Sequence, residues 1–481
     1  MSDHAARAAR PLGSAPLTGP DATAALLDLL AGWLPRQRWF PGRDDRPAEL
    51  GLISDITLQV GYPALRHLIV EVSLRSGDRA AFQVLVGYRP DLPPALEDAQ
   101  IGSIGGVVCY DALHDPELTD VLLHAVSEQR LAGQLRFVRE TSAPSLVRGS
   151  MAGRVLGVEQ SNTSVVFGDH AILKMVRRLF AGANPDLEVA DALARLGSKQ
   201  VAAPYGWIET DLDSEPVLLG VLSQFLAGAT DGWTLALDSV RQLAGTGVAA
   251  RSGAAPGPVE PPDRTPFAAE ARLLGQATAE LHADLAEAFG SREMARAELT
   301  DLAGGMQAKL SDALDVVPEL AEYEARIRAA YDAVARPSEP VMLQRIHGDY
   351  HLGQVLRAPH GWVALDFEGE PAVPLAVRRG FAPALRDVAG MLRSFDYAAR
   401  HELAGDPHQG EQSLAGLADG WVSQCHDAFC AGYAAGGGAD PVGHQILLRA
   451  LTLEKAVYEV VYEYRHRPSW LPIPLSFVAA A

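Results

Sequence analysis

The stretch Ile346–Glu370, IHGDYHLGQVLRAPHGWVALDFEGE, decides the fold of this 481-residue chain. Asp349, Gln354 and Asp366 stand in it at the spacing of a phosphoryl-transfer site. Such chemistry needs a carboxylate to accept a hydroxyl proton, then an amide and a second carboxylate to hold a divalent cation on the phosphates. Gln354 follows Asp349 by five residues, and Asp366 follows a short apolar run, Trp362 to Leu365. The segment therefore predicts a hairpin that carries a metal site. Gln354 is one methylene longer than the usual Asn, but it keeps the hard carbonyl oxygen that magnesium prefers.

Two other readings of the stretch are weaker. His347 and His351 are spaced like a helical zinc pair, but that motif needs Glu directly after the first His, and Gly348 stands there. Asp349 and Asp366 could be ordinary turn residues. The correctly offset Gln354 and the continuation Phe367-Glu368 argue against that coincidence.

Working outward, the length predicts two to four packed units. Hydrophobic residues at 48% and charged residues at 21% are those of a globular protein. The formal charge, 41 minus 60 or −19, is spread along the chain and makes nucleic acid an improbable partner. An anionic nucleotide would meet a repulsive mean field, so magnesium and a lysine at the phosphates are required. Three cysteines, Cys109, Cys425 and Cys430, are too few and too irregular for a disulfide framework or a zinc site. No apolar run approaches a membrane span, and the N-terminus lacks a secretory core, so the cytoplasm is the expected compartment.

Residues 1–20 read as a mobile tail, followed by a short amphipathic helix (Ala24, Leu26, Leu27, Leu30, Trp33) and strands near Leu52–Val60, Leu68–Leu74 and Ala81–Val86. Asp111 and Asp115 read as turn and cap residues. From Gly157 the pattern is strand, polar turn, strand, turn, strand. Ser161, Asn162, Thr163 and Ser164 are placed in the polar turn, where they would approach phosphates. Lys174, after the apolar Ala171–Leu173, is the expected phosphate-binding cation. A helix opens at Asn184-Pro185 with a predicted core stripe of Leu187, Ala190, Leu193 and Leu196, and its Glu188 is a candidate partner for Lys174. Val217–Leu222 reads as a buried strand leading to a hinge at Ser223–Ala227, with Gln224 beside the adenine. Beyond Gly232 the chain turns helical apart from a Pro/Gly-rich loop, Arg251–Arg264. Leu273, Leu274, Ala277, Leu281 and Leu285 are the predicted stripe of a long helix, and His282 on it a core or boundary histidine.

The motifs LPRQRWF at 34–40, EQSNTSVVFG at 159–168, NPDLE at 184–188, DGWTLAL at 231–237, QRIHGDYHLGQVLR at 344–357, LDFEGEP at 365–371, RDVAGMLRSFDYAA at 386–399 and YEVVYEYRHRPSWLPIPL at 458–475 resemble those of actinobacterial maltokinases. These are aminoglycoside-phosphotransferase-like kinases. The resemblance implies an α+β, bilobal, eukaryotic-protein-kinase-like fold with an N-terminal α+β cap and a mostly helical C-lobe. The expected divisions are a tail to 20, cap and intermediate region at 21–150, kinase N-lobe and hinge at 151–227, and C-lobe at 228–481. It implies ATP and Mg²⁺ as cofactors and phosphorylation of maltose at the anomeric hydroxyl, giving maltose 1-phosphate for α-glucan synthesis. Asp349 is then the base, Gln354 and Asp366 the metal ligands and Lys174 the phosphate contact. It also leaves room for association with a maltose-producing enzyme, the chain being a monomer or weak oligomer. The chain departs from the family pattern at Pro41-Gly42-Arg43-Asp44-Asp45, and Tyr350 replaces a common Leu beside the base.

Sugar recognition calls for carboxylates, amides and aromatic faces. Glu368, Arg386, Tyr458 and Tyr462 are the candidate acceptor residues, the two tyrosines lying one helical turn apart. The rival readings are a kinase of another sugar such as glucosamine, and a nucleotide-binding pseudokinase that regulates partners.

Overall fold

A computed structural model describes residues 19–480, apart from 41–46, 48, 74–78, 142, 144–150, 158–161, 252–265, 338, 371–372 and 404–410. The expectations for the tail to residue 18, the Pro41–Asp45 departure, Ser161 and nearly all of the Pro/Gly-rich loop lie outside the described residues. The chain forms two units, Met1–Asn184 with Ala203–Ala227, and Pro185–Ala202 with Gly228–Ala481.

In the first unit, helix α1 (Pro20–Trp33) buries Leu26, Leu30 and Trp33, three residues at the spacing of one helical face. The expected strands are present as Glu49–Gln59, Ala64–Ser73 and Arg79–Arg89, and Val107–Asp111 and Gln100–Ile104 complete an antiparallel run. Helix α2 (Pro116–Ser127) follows. Asp111 accepts from Leu113 N–H and Asp115 from Glu117 N–H, so both are the turn and cap residues the sequence predicts.

A second antiparallel sheet runs Leu131–Ala132, Leu135–Arg139, Pro204–Leu212, Glu215–Gln224, Ala171–Val176, Asn162–Phe167, Gly153–Val155. Residues 131–139, grouped with the cap from sequence, thus pair with the nucleotide-lobe strands. Val217–Leu222 is buried throughout, as its unbroken apolar run requires. Arg177 ties the two sheets together: it is buried, pairs with Asp111 at 2.6 Å, donates to Thr163 Oγ1 at 2.9 Å, and stacks 4.9 Å over Trp39. Gln83 adds bonds from Nε2 to the Val176 and Leu219 carbonyls.

The second unit holds α3 (Pro185–Leu196), α4 (Gly232–Arg251), α5 (Pro266–Phe289), α6 (Arg296–Val316), α7 (Glu324–Ala333), α8 (Leu375–Arg378), α9 (Leu385–Leu403), α10 (Glu411–Ala435), α11 (Gln445–His466) and α12 (Pro472–Ala480). Its core draws on α4, α5, α6, α7, α9, α10 and α11. Two predicted stripes need correction. Helix α3 buries Pro185, Val189 and Leu193, four residues apart, and leaves Leu196 exposed. On α5, Leu274, Leu281 and Leu285 are buried while Leu273 is exposed, because adjacent residues lie about 100° apart around a helix. The hairpin Val355–Ala358 and Gly361–Ala364 forms where the two short apolar runs predict it.

Candidate active site

The candidate catalytic loop runs from the strand Met342–Gln344 to the hairpin, and α9 packs behind it. Asp387, in the first turn of α9, accepts from His347 N–H at 2.8 Å and Gly348 N–H at 2.9 Å. His282 Nε2 lies 3.1 Å from the same carboxylate, and its Nδ1 lies 2.8 Å from the Tyr433 hydroxyl. Burial pushes the Asp387 carboxyl up. The imidazoles of His282 and His347 and the Gly348 amide outweigh it and hold the carboxyl below the usual range. His282 is therefore buried, as expected, but with a duty: it braces the residue that braces the loop. Gly348 sits at φ +84°, a left-handed conformation that a side chain resists. His347 accepts from Asp349 N–H at Nδ1, so its Nε2 carries the proton donated to the Leu365 carbonyl at 2.8 Å.

Asp366 ends the hairpin in a left-handed backbone, φ 62°, unusual for a residue with a side chain. Gln354 Nε2 lies 3.4 Å from Asp366 Oδ2, so the two expected cation ligands are adjacent, and a half-turn of the amide presents Oε1 instead. Asp186, Asp366 and Glu368 each offer an oxygen within 4.8 Å of the others. This donor set is all hard oxygen, which fits magnesium rather than zinc. Asp186 also accepts from Phe367 N–H at 2.9 Å, fixing the first turn of α3 to the loop. Glu368, a candidate acceptor residue, lies beside these carboxylates.

Glu370, two residues on in the chain, faces a cavity of 360 Å³ together with Asp349, Arg386, Glu454, Lys455 and Tyr458. A second cavity of 720 Å³ shares Asp349, His351, Glu370, Lys455 and Tyr458, and adds Trp233, Tyr397, Tyr462 and Trp470. Both volumes lie in the range of small-molecule sites. Arg386 donates to Glu454 at 2.9 Å, and Lys309 meets the other oxygen of that carboxylate at 2.6 Å. Tyr458 and Tyr462 stack with centroids 6.3 Å apart at 27°. Lys455 Nζ lies 3.6 Å from Asp349 Oδ1, 3.5 Å from Glu370 Oε1 and 5.0 Å over the Tyr458 ring. Burial works against its ammonium, but Glu370, Asp349 and Glu459 prevail and raise its pKa. Tyr350 is buried, its hydroxyl 2.9 Å from Thr278 Oγ1.

Sequence reasoning did not single out Lys455, Glu370, Asp387 or Asp186. The i, i+3 spacing of Lys455 and Tyr458 was the available signal for the first.

Glu188 pairs with Arg345 and Arg379, each at 2.9 Å. The two guanidiniums prevail over burial and lower the Glu188 pKa. Lys174 is half-buried in the strand Ala171–Val176, facing Ser164 and Val221 across the sheet. Asn162 and Thr163 are in a strand rather than a turn, because residues 162–167 pair in full with 171–176. Thr163 is buried, and its hydroxyl oxygen accepts from Arg177 Nε at 2.9 Å. At the hinge, Gln224 N–H donates to Ala203 O and Phe225 N–H to His170 O, so these two amides are already used.

Residues 33–115 match the maltokinase N-terminal cap domain. A glucosamine kinase of Streptacidiphilus jiangxiensis is 31% identical over 331 residues, 66% of this chain and 70% of the relative. A glucosamine kinase of Mycolicibacterium smegmatis is 30% identical over 337 residues, 67% of this chain and 77% of the relative. The chain belongs to the maltokinase-like family of sugar kinases. A solved glucosamine kinase (crystal form B) is similar with a TM-score of 0.65 at 25% identity, covering 94% of this chain and 99% of the other. A glucosamine kinase in complex with glucosamine, ADP and inorganic phosphate matches with a TM-score of 0.64 at 24% identity, over 94% and 98%. The fold is thus the α+β kinase fold with an N-terminal cap.

Proposed function

We propose that this sugar kinase transfers the γ-phosphoryl group of ATP to the anomeric hydroxyl of maltose, giving maltose 1-phosphate for α-glucan synthesis in the cytoplasm. The observation that carries the reading is the pair of cavities meeting at Asp349, one of them walled by the stacked Tyr458 and Tyr462, Trp233 and Trp470. Two adjoining chambers suit an acceptor of two rings, and aromatic walls suit the apolar faces of sugars. The maltokinase-type cap supports the same choice.

In this mechanism Asp349 accepts the proton as the hydroxyl oxygen bonds to Pγ. The bond from Pγ to the bridging oxygen breaks, and ADP leaves. Magnesium, when bound, supplies charge neutralisation on the phosphate oxygens. Gln354 and Asp366 would hold it, with Asp186 and Glu368 beside them. Lys174 is proposed as the phosphate-binding cation.

The names of the curated relatives favour a second reading, phosphorylation of glucosamine. A panel of sugars incubated with ATP and Mg²⁺, with products assigned by phosphorus NMR, decides between them. Maltose 1-phosphate is expected as the main product; preference for glucosamine overturns the reading. No turnover of any sugar would favour the pseudokinase.

A further inference from the structure

Resting on the acceptor reading above, we infer that Lys455 is the specificity-determining residue that makes this site take neutral sugars and reject 2-amino sugars. The two carboxylates that both cavities share, Asp349 and Glu370, already have a cationic partner supplied by the protein. The ammonium of Lys455 lies between them, 3.6 and 3.5 Å away, and its position is fixed further by the Tyr458 ring at 5.0 Å.

A neutral acceptor gains from this arrangement. Its hydroxyls accept from the Lys455 ammonium and donate to the Glu370 carboxylate, with no charge left unmatched. A 2-amino sugar carries its own ammonium at neutral pH. It must compete with Lys455 for the same carboxylates and bring a like charge into a partly desolvated space. Of the other carboxylates lining the 360 Å³ cavity, Glu454 has its two oxygens held by Lys309 and Arg386, and Asp387 is held by His282 and the His347 and Gly348 amides, while Asp312 is exposed to solvent. An aminosugar site needs a carboxylate beside the reacting position awaiting a cation, and at Asp349 and Glu370 the chain supplies that cation itself.

The experiment compares kcat/KM for maltose and glucosamine in the wild-type protein, Lys455→Met and Lys455→Arg, with thermal unfolding and the KM for ATP followed in parallel. In Lys455→Met the maltose-to-glucosamine ratio should fall at least about tenfold, mostly through KM, and Lys455→Arg should keep it within about threefold of wild type. If Lys455→Met slows both sugars equally and leaves the ratio unchanged, Lys455 is a structural ion-pair partner and the inference is wrong. Should the variant fail to fold, glucosamine inhibition of the wild-type protein provides the test. Inhibition should tighten as pH rises and the sugar amine loses its proton, while inhibition by glucose stays constant. A flat glucosamine response overturns the proposal. The wild-type ratio separates the two ideas: preference for glucosamine removes the maltose reading and this inference with it, whereas preference for maltose that is indifferent to Lys455 removes the inference alone.

Discussion

In the proposed mechanism Asp349 takes the acceptor proton; its amide is held by His347 and its carboxylate lies beside Lys455. Asp349→Asn keeps the shape and removes the proton acceptor, so kcat should fall roughly 10²- to 10⁴-fold with the melting temperature nearly unchanged. Unchanged turnover in a folded variant would remove the assignment. For Asp366 the expected readout is different. Asp366→Ala deletes a hard oxygen from the group that includes Asp186 and Glu368, so the Mg²⁺ concentration for half-maximal rate should rise well beyond the effect on sugar KM. A uniform loss at every Mg²⁺ concentration would argue against a ligand role. These two residues are recognisable from sequence because they share one short stretch, where spacing alone states their relation. Lys455 is not: it reaches Asp349 only through the packing of α11, and no local pattern records that.

At the scale of elements, the loop is a passenger on α9. Asp387 supplies two charge-assisted acceptors to its backbone, so Asp387→Ala leaves buried amides unpaired and His282 without its partner. A stability loss of about 2–4 kcal/mol and a fall in kcat are expected together, measured by chemical denaturation and single-turnover rates. Restored kcat in Asp387→Asn, which keeps one acceptor oxygen, would show the loop to be less dependent on the charge. Helices α5 and α10 approach so closely that a Cβ on Gly432 would lie 2.0 Å from the Arg272 carbonyl. Gly432→Ala should destabilise by about 1–3 kcal/mol or more, seen as a lowered unfolding midpoint with an unchanged denaturant slope. Elements with strong periodicity or long apolar runs, such as Val217–Leu222 and the catalytic hairpin, are legible in the sequence. Where two registers are equally apolar, as with Leu273 and Leu274, only packing chooses. The residues around Thr163 read as a polar turn because small hydroxyl residues serve both turns and strands. Their ladder with residues 171–176 decides for the strand.

At the scale of the whole molecule, acid should loosen the first unit. His67 is buried, and Gln83 spends its amide nitrogen on the Val176 and Leu219 carbonyls. Gln83 Oε1 must therefore accept from His67 Nε2 at 2.9 Å, which leaves Nδ1 without a hydrogen-bond partner and the ring neutral. Burial, against the Gln83 bond and Asp55, lowers the His67 pKa from 6.5 to about 4. A depressed histidine is protonated first in the unfolded chain. The stability is therefore complete above about pH 6.5 and drains away as pH falls toward 4, by on the order of 3 kcal/mol. Thermal unfolding across this window should show the loss, and His67→Gln should flatten it; an unchanged slope would place the acid sensitivity elsewhere. Length allowed two to four units and the change of pattern beyond Gly232 marked the helical one, but the sequence divided the first unit into cap and nucleotide lobe. That α3 would join the helical unit was not readable, because helix periodicity marks a buried face without naming its neighbour.

The oxygen donors come from the start of α3 and the hairpin, whereas Lys455, Tyr458 and Tyr462 all belong to α11. In the proposed reading, the oxygen donors and the α11 wall of the acceptor cavities are thus written in separate stretches of the gene. A library confined to α11 would vary one wall of the two cavities while leaving the oxygens of Asp186, Asp366 and Glu368 unchanged.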